Sequence, residues 1–212
     1  METAKRINLG CGTTAPAGWL NVDRSPGLLL SKFPGARRIV LATGLLPGPQ
    51  AQVDWPEGIR RLDVTKRLPF QASSAEAIYS SHMLEHLAHR DAIHLLAECR
   101  RVLDDGGVLR LALPDLRRMA QAYLASSDSG AADAFVEAIG LGIEANPKGS
   151  RRLIEAMSGA RHRWMYDAAS IVSACEAVGL TRVEECAYRE GRCPDLMNVE
   201  QREDSLFIEA FA

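Results

Sequence analysis

The sequence predicts an α/β fold: a mostly parallel sheet of seven strands, flanked by helices, with an antiparallel pair at its carboxyl-terminal edge. Three observations predict it. Short apolar runs end in glycine or polar residues, as Lys5–Leu9 does before Gly10-Cys11-Gly12 and Trp19–Val22 before Asp23. Buried parallel strands that carry ligand groups at their carboxyl ends have this pattern. Segments of helical period stand between the later strand candidates. The last two candidates, Thr181–Tyr188 and Leu206–Phe211, have no helix between them, and a short link of that kind makes an antiparallel pair.

The 212 residues are 47% hydrophobic and 25% charged, which suits a single domain over 1–212 with one insertion. A net charge of −2 with no Lys/Arg stripe argues against DNA or a large RNA as partner. The start, METAKRINLG, has no apolar signal core, and no run is long enough to span a bilayer. The five cysteines are scattered and form no CxxC pair, so neither a disulfide framework nor a zinc knuckle is expected. A reducing, cytoplasmic compartment follows as the expectation.

Taken in order, the first strand is Lys5–Leu9, with Ile7 and Leu9 on one face. Only residues 10 to 18 separate it from the second, and they include Pro16 and Gly18. A parallel crossover usually needs about ten to twelve residues, so the first helix reduces to a turn or is absent. Residues 24–58 read as a Pro/Gly-rich loop, with one strand candidate inside it at Arg38–Ala42. Ile59–Val64 is the third core strand, ending near Asp63, and Leu68-Pro69-Phe70 after it reads as cover for an apolar ligand face. Glu76–Ser80 is the next strand. A helix over Arg90–Leu103 stops at Asp104-Asp105-Gly106-Gly107, and Val108–Leu113 follows as a strand ended by Pro114. Asp115 caps a helix over 115–125. Residues 126–160 are Ala-, Gly- and Ser-rich with one helix near 130–140, and 116–165 together read as an inserted helical lid. Asp167 caps a further helix whose stripe is Ile171, Val172, Cys175 and Val178, with Gly179 as its stop. The polar 189–204 reads as a mobile link.

Glycines just past a strand let a ligand approach the backbone. An aspartate ending the second strand can accept from both hydroxyls of a ribose. The glycine pattern is not a dinucleotide fingerprint, because Thr14 stands where a third glycine is needed and the acid comes too early.

Together, INLGCG (7–12), NVD (21–23), LDV (62–64), AEAIYSSHMLEHL (75–87), RRVLDDGGVLRLALPD (100–115) and the closing strand pair resemble the class I S-adenosylmethionine-dependent methyltransferases, in particular small bacterial members of unassigned substrate. The resemblance covers most of the chain and implies a Rossmann-like three-layer sandwich. It implies that S-adenosylmethionine is the cofactor, with S-adenosylhomocysteine as product. It further implies that Gly10, Cys11 and Gly12 pack against the methionine part and that Asp23 holds the ribose. Asp63 would accept from the adenine amino group beside Val64, and Ser81 and His82 would border the sulfonium.

The expected reaction is methyl transfer to an oxygen or nitrogen of a small molecule, with a sugar or secondary metabolite as the named acceptor class. A base is needed when the acceptor must lose a proton, and the candidates are His82, Glu85, His86 and His162. His82, Glu85 and His86 fall at i, i+3 and i+4, so in a helical turn they share one side. That is a candidate metal face, and it is similar to the ExxEH metal motif of some O-methyltransferases, with His82 in place of the first Glu. The preferred reading is plainer: Glu85 and His86 bond backbone groups at a helix start, and no metal ligand is assigned. Arg161 and Arg163 are candidates to hold an anionic substrate, or they belong to a solvated turn with Trp164 as a core anchor. His89 and His94 read as surface or packing residues, and Cys11 as a packing residue. The partners expected are a small-molecule acceptor and a second copy in a homodimer. The alternative functions are a nucleotide-dependent oxidoreductase and a non-catalytic S-adenosylmethionine-binding partner protein.

Overall fold

Seven strands form one sheet in the order β3-β2-β1-β4-β5-β7-β6 in a computed structural model that describes residues 3–33, 35, 39, 54–142 and 161–212. The strands are β1 (Arg6–Leu9), β2 (Leu20–Asp23), β3 (Arg60–Arg61), β4 (Ala75–Ser81), β5 (Leu103–Leu113), β6 (Thr181–Cys186) and β7 (Leu206–Phe211). The first five pair in parallel, while β7 lies antiparallel between β5 and β6. The expected seven-stranded mixed sheet is therefore present, closing pair included.

The short crossover from β1 to β2 holds without a helix because two asparagines replace one. Asn8 and Asn21 are register partners and are buried. Asn8 Nδ2 donates to Thr14 O (2.9 Å) and Asn21 Oδ1 (3.0 Å), and Asn21 Nδ2 donates to Pro16 O and Trp19 O. The loop's carbonyls thus find donors inside the fold, as buried carbonyls must.

Two expectations at the β3 edge are corrected. The stretch 24–58 holds a helix, α1 (Pro26–Ser31), with proline in its first turn where a missing N–H costs nothing. Leu28 of α1 packs with Cys11 and Ile59. Strand β3 is two residues long, not six. It has one neighbour, and past Leu62 the Asp63 carboxylate accepts from Thr65 N and Thr65 Oγ1, which turns the chain away. Most of the strand candidate Arg38–Ala42 lies outside the described residues; Ile39 is helical.

One face of the sheet carries the larger core. Ile7, Leu9, Ile78, Leu109, Leu111, Ile208 and Ala210 meet α2 (His89–Val102) and α5 (Ala168–Ala177). Leu68 and Phe70 belong to this core and do not cover a ligand face. Their backbone groups are tied to Glu98 and Arg101 of α2. Between β5 and α5 come α3 (Leu116–Ala125) and α4 (Ala131–Ala138), a helical pair joined by the Tyr123–Phe135 stack and enclosing an apolar groove of about 330 Å³.

The caps fall where the sequence puts them. Asp115 accepts from Arg117 N and Arg118 N, and Asp167 forms a reciprocal box with Ser170. The Ser170 hydrogen bonds hold the Asp167 carboxyl below its usual range. Asp167→Ala is expected to cost about 0.5–2 kcal/mol in urea unfolding at neutral pH. A depressed folded-state pKa stabilises above the unfolded value and loses that contribution as pH falls through the folded one, so the gap between variant and parent should close in acid.

The opposite face is covered by 189–200, with α6 (Leu196–Val199), and by Trp19, which packs edge-on to Tyr79. This outer layer is coil and one helical turn. The segment is not a mobile link. Buried Arg110 on β5 donates to Glu200 Oε1 (2.6 Å), Glu190 O and Ala187 O, and lies 3.5 Å from Glu209, its register partner on β7. No helix among the described residues is long and apolar enough to cross a membrane.

Candidate functional site

The parallel strands β1, β2 and β4 deliver their sequence-predicted residues to one edge. Gly12 N donates to Asp23 Oδ2 (2.9 Å) and Ser25 N to Asp23 Oδ1 (2.6 Å), so the buried Asp23 clamps the glycine loop to the end of β2. Gly12 has φ +53, and nothing lies within 4 Å of the position a Cβ would take. Gly10 lies against Met83, so Met83 joins the β1 loop to the turn after β4. Burial, and then the charge of Asp23, pushes the Cys11 thiol up to about 12. Burial of this kind disfavours the thiolate and with it a nucleophilic role for Cys11. Asp63 accepts from Arg24 (2.9 Å); partial burial opposes its charge, but Thr65, Arg24 and Lys66 together hold its carboxyl below the usual range. Val64 beside it is buried.

The second half of the site begins at the end of β4. Ser80 is buried, its Oγ without a hydrogen-bond partner among the described residues, and Ser81 pairs with Ala112. His82 then takes φ +47, a left-handed conformation that a histidine adopts at a cost and that clusters at functional sites. Its Nε2 meets Ser205 Oγ at 2.9 Å. The turn that follows, Leu84–His86, is a short 3-10 helix.

Glu85 does not bond the backbone of a helix start. Its side chain is 1% exposed and neither carboxylate oxygen has a hydrogen-bond partner among the described residues. His82 Nδ1 lies 3.5 Å from Oε1 and His86 Nε2 3.9 Å. A buried carboxylate without donors is costly, so its neighbours define what the site can hold.

The segment 161–166 returns to this turn. Arg163 N and Trp164 N both donate to Glu85 O (2.7 and 3.2 Å). His162 therefore faces His86, with ring centroids 5.0 Å apart. Burial holds His162 below the ordinary histidine value, with the Glu85 charge pulling the other way. Trp164 is not a core anchor: it is 46% exposed and stacks on His89. Tyr166 is the buried residue of the segment; its hydroxyl has no hydrogen-bond partner among the described residues and is pushed up to about 12 by burial and by Glu85.

All four catalytic candidates, His82, Glu85, His86 and His162, thus come together. Sequence reasoning missed Met83, Ser205, Tyr166 and Gly140. A Cβ on Gly140 would overlap the His162 ring, and φ there is +71, so the glycine just past α4 makes room for the imidazole. A glycine at a helix end is an ordinary stop signal, which is why its second role is invisible in sequence.

A family model described as a methyltransferase domain matches residues 7–111. That stretch contains the glycine loop, Asp23, Asp63 and the Glu85 turn, and ends before His162. Among solved structures the chain is similar to a SAM-dependent methyltransferase from Archaeoglobus fulgidus, with TM-score 0.52 and 12% identity over 99% of this chain and 86% of that one. It is similar to a SAM-dependent methyltransferase from Mesorhizobium loti, with TM-score 0.48 and 18% identity over 98% and 90%. It is also similar to the CurJ carbon methyltransferase, with TM-score 0.48 and 14% identity, covering 99% of this chain but 48% of that one. The chain therefore spans about half the length of that protein. No curated protein sequence matches it.

Proposed function

We propose, for a chain that belongs to the class I S-adenosylmethionine-dependent methyltransferases, methyl transfer to an oxygen or nitrogen of a small molecule. Family membership sets aside the oxidoreductase alternative. The observation that carries the finer reading is the gathering of His82, His86 and His162 around the buried Glu85 at the end of β4.

The residues at the β1–β3 ends fit the cofactor. The backbone at Gly12 is open on the side a Cβ would fill. Asp23 has two oxygens and about four acceptor sites, of which backbone N–H groups use two. In this reading Gly10, Cys11 and Gly12 line the methionine part, Asp23 the ribose, and Asp63 and Val64 the adenine. Ser81 and His82 border the reacting end. When bound, S-adenosylmethionine would supply an electrophilic methyl group on a positively charged sulfur, which departs as a neutral thioether without acid catalysis.

This chain's residues then have two tasks. The first is to hold the acceptor in line and exclude water, for which 116–165 is the proposed cover. The second is to receive the proton that a hydroxyl or an ammonium group must lose. The imidazole nitrogens are the acceptors, and the Glu85 charge stabilises the imidazolium that results. A net charge of −2 without a basic stripe supports a small acceptor over a nucleic acid.

The test is transfer from labelled S-adenosylmethionine to a panel of hydroxyl, amine and carbon acceptors. Methylation of hydroxyl or amine acceptors is expected, with Glu85→Gln lowering kcat by about 10²–10⁴-fold while leaving cofactor affinity in place. Transfer to carbon acceptors alone would overturn the reading. Binding of S-adenosylhomocysteine with no transfer to any of them would favour the non-catalytic alternative.

A further inference from the structure

The turn after β4 and the segment 161–164 bring three acceptor atoms together. His86 Nδ1 lies 3.1 Å from Arg161 O, and His162 Nδ1 lies 3.0 Å from Ile139 O. A carbonyl oxygen cannot donate, so each Nδ1 carries the hydrogen and each neutral ring keeps its lone pair on Nε2. The Nε2 of His86 is turned toward Glu85. The Glu85 carboxylate is buried and has no hydrogen-bond donor among the described residues. One ligand atom each from Glu85, His86 and His162 lies within 4.8 Å of the others. The lone pairs of these three groups converge, and a cation is their natural occupant; His82 Nδ1, 3.5 Å from Glu85 Oε1, stands beside them. A ring whose far N–H is anchored on a carbonyl is also the outer-shell arrangement of metal-bound histidines.

We propose that Glu85, His86 and His162 form a binding site for one divalent first-row cation, such as zinc, cobalt or manganese. Two imidazoles and one carboxylate suit such ions and leave coordination positions open. Ligand bonds of about 2.0–2.2 Å draw the three groups together through side-chain torsions. The set is not the His82–Glu85–His86 face suggested by helical spacing. Because Leu84–His86 is a 3-10 turn and His82 takes φ +47, His82 spends its Nε2 on Ser205 and, although its Nδ1 lies 3.5 Å from Glu85 Oε1, it falls outside the group whose ligand atoms all lie within 4.8 Å of one another; the third ligand comes from 76 positions beyond His86. The other group of three candidate ligands among the described residues, Glu184, Cys186 and Glu209, differs in kind, because Glu209 is already bonded by Arg192 N and Cys193 N and faces Arg110.

The site's role rests on the methyl-transfer reading: an ion there would bind an acceptor hydroxyl through an open position and ease loss of its proton, leaving His82 outside the ligand set as proton acceptor. Its existence does not rest on that reading, and the test needs neither cofactor nor acceptor. The full chain is stripped with chelator and titrated with zinc by calorimetry and with cobalt by visible absorption. One equivalent should bind, with a cobalt spectrum of nitrogen and oxygen ligation. His162→Ala and His86→Ala should each weaken binding by about 100-fold or more, exceeding the 10–100-fold typical of outer-shell losses. His82→Ala should change it by less than about threefold. Gly140→Ala keeps every ligand but displaces the His162 ring, and should weaken binding at least tenfold in protein whose circular dichroism is unchanged. Absence of a one-to-one complex, affinity unaffected by His162→Ala, or an equal loss in His82→Ala would overturn the proposal.

Discussion

Arg110→Ala is expected to destabilise the protein by about 3–5 kcal/mol, the range for removing one partner of a buried ion pair. The argument begins with alternation along β5. Leu109 and Leu111 face the larger core, so Arg110 must face the other side, where Tyr79, Val108 and Phe211 pack. Burial opposes the guanidinium charge, and Glu200 more than restores it, so its pKa is raised. All its visible partners are satisfied: Glu200 also accepts from Arg189 N, and Glu209 from Arg192 N and Cys193 N. Truncation to alanine leaves two fully buried carboxylates without their cation. It also releases the carbonyls of Ala187 and Glu190. Urea unfolding followed by circular dichroism measures the loss, and a change under about 1 kcal/mol would show that the pair is merely tolerated. The same variant should be cut faster by trypsin after Arg189 or Arg192, because this network pins the segment to the sheet.

That network also explains where sequence reading succeeds and where it does not. Strand β7 and both caps are legible because their causes are local: alternation of apolar residues, and an aspartate before a helical run. Residues 189–204 read as mobile because they are polar. Over 189–200, polar groups are instead tied to charges supplied by β5 and β7, and no local rule reveals partners 16 to 90 positions away. Strand β3 is overestimated because a strand's length depends on its neighbour, and at the edge the Asp63 turn ends pairing after two residues. The helix α1 hides behind Pro26-Gly27, which reads as loop until the proline is seen to occupy a first turn. The catalytic candidates are legible as residue types. Their arrangement is not, because helical spacing groups His82 with Glu85 and His86, whereas the folded chain adds His162 through backbone bonds to Glu85 O.

Asp23→Ala should lower S-adenosylhomocysteine affinity by about 10²–10⁴-fold, if two ribose hydroxyls donate to this carboxylate at about 1.5–3 kcal/mol each. The complication is that Asp23 also clamps Gly12 N and Ser25 N. Part of any loss could come from a loosened glycine loop. The two causes separate with a ligand whose ribose lacks both hydroxyls. If the carboxylate bonds the ribose, the deoxy ligand binds the parent weakly and loses little more on Asp23→Ala. If the aspartate acts only by holding the loop, the variant penalises both ligands equally. Calorimetric titration of two proteins with two ligands gives the coupling directly. A coupling near zero would remove Asp23 from the ribose and leave it as the clasp of the β1–β2 turn. The geometry favours a large one, because two backbone donors leave about half of the carboxylate's acceptor sites free, in a buried setting where an unused charge would be expensive.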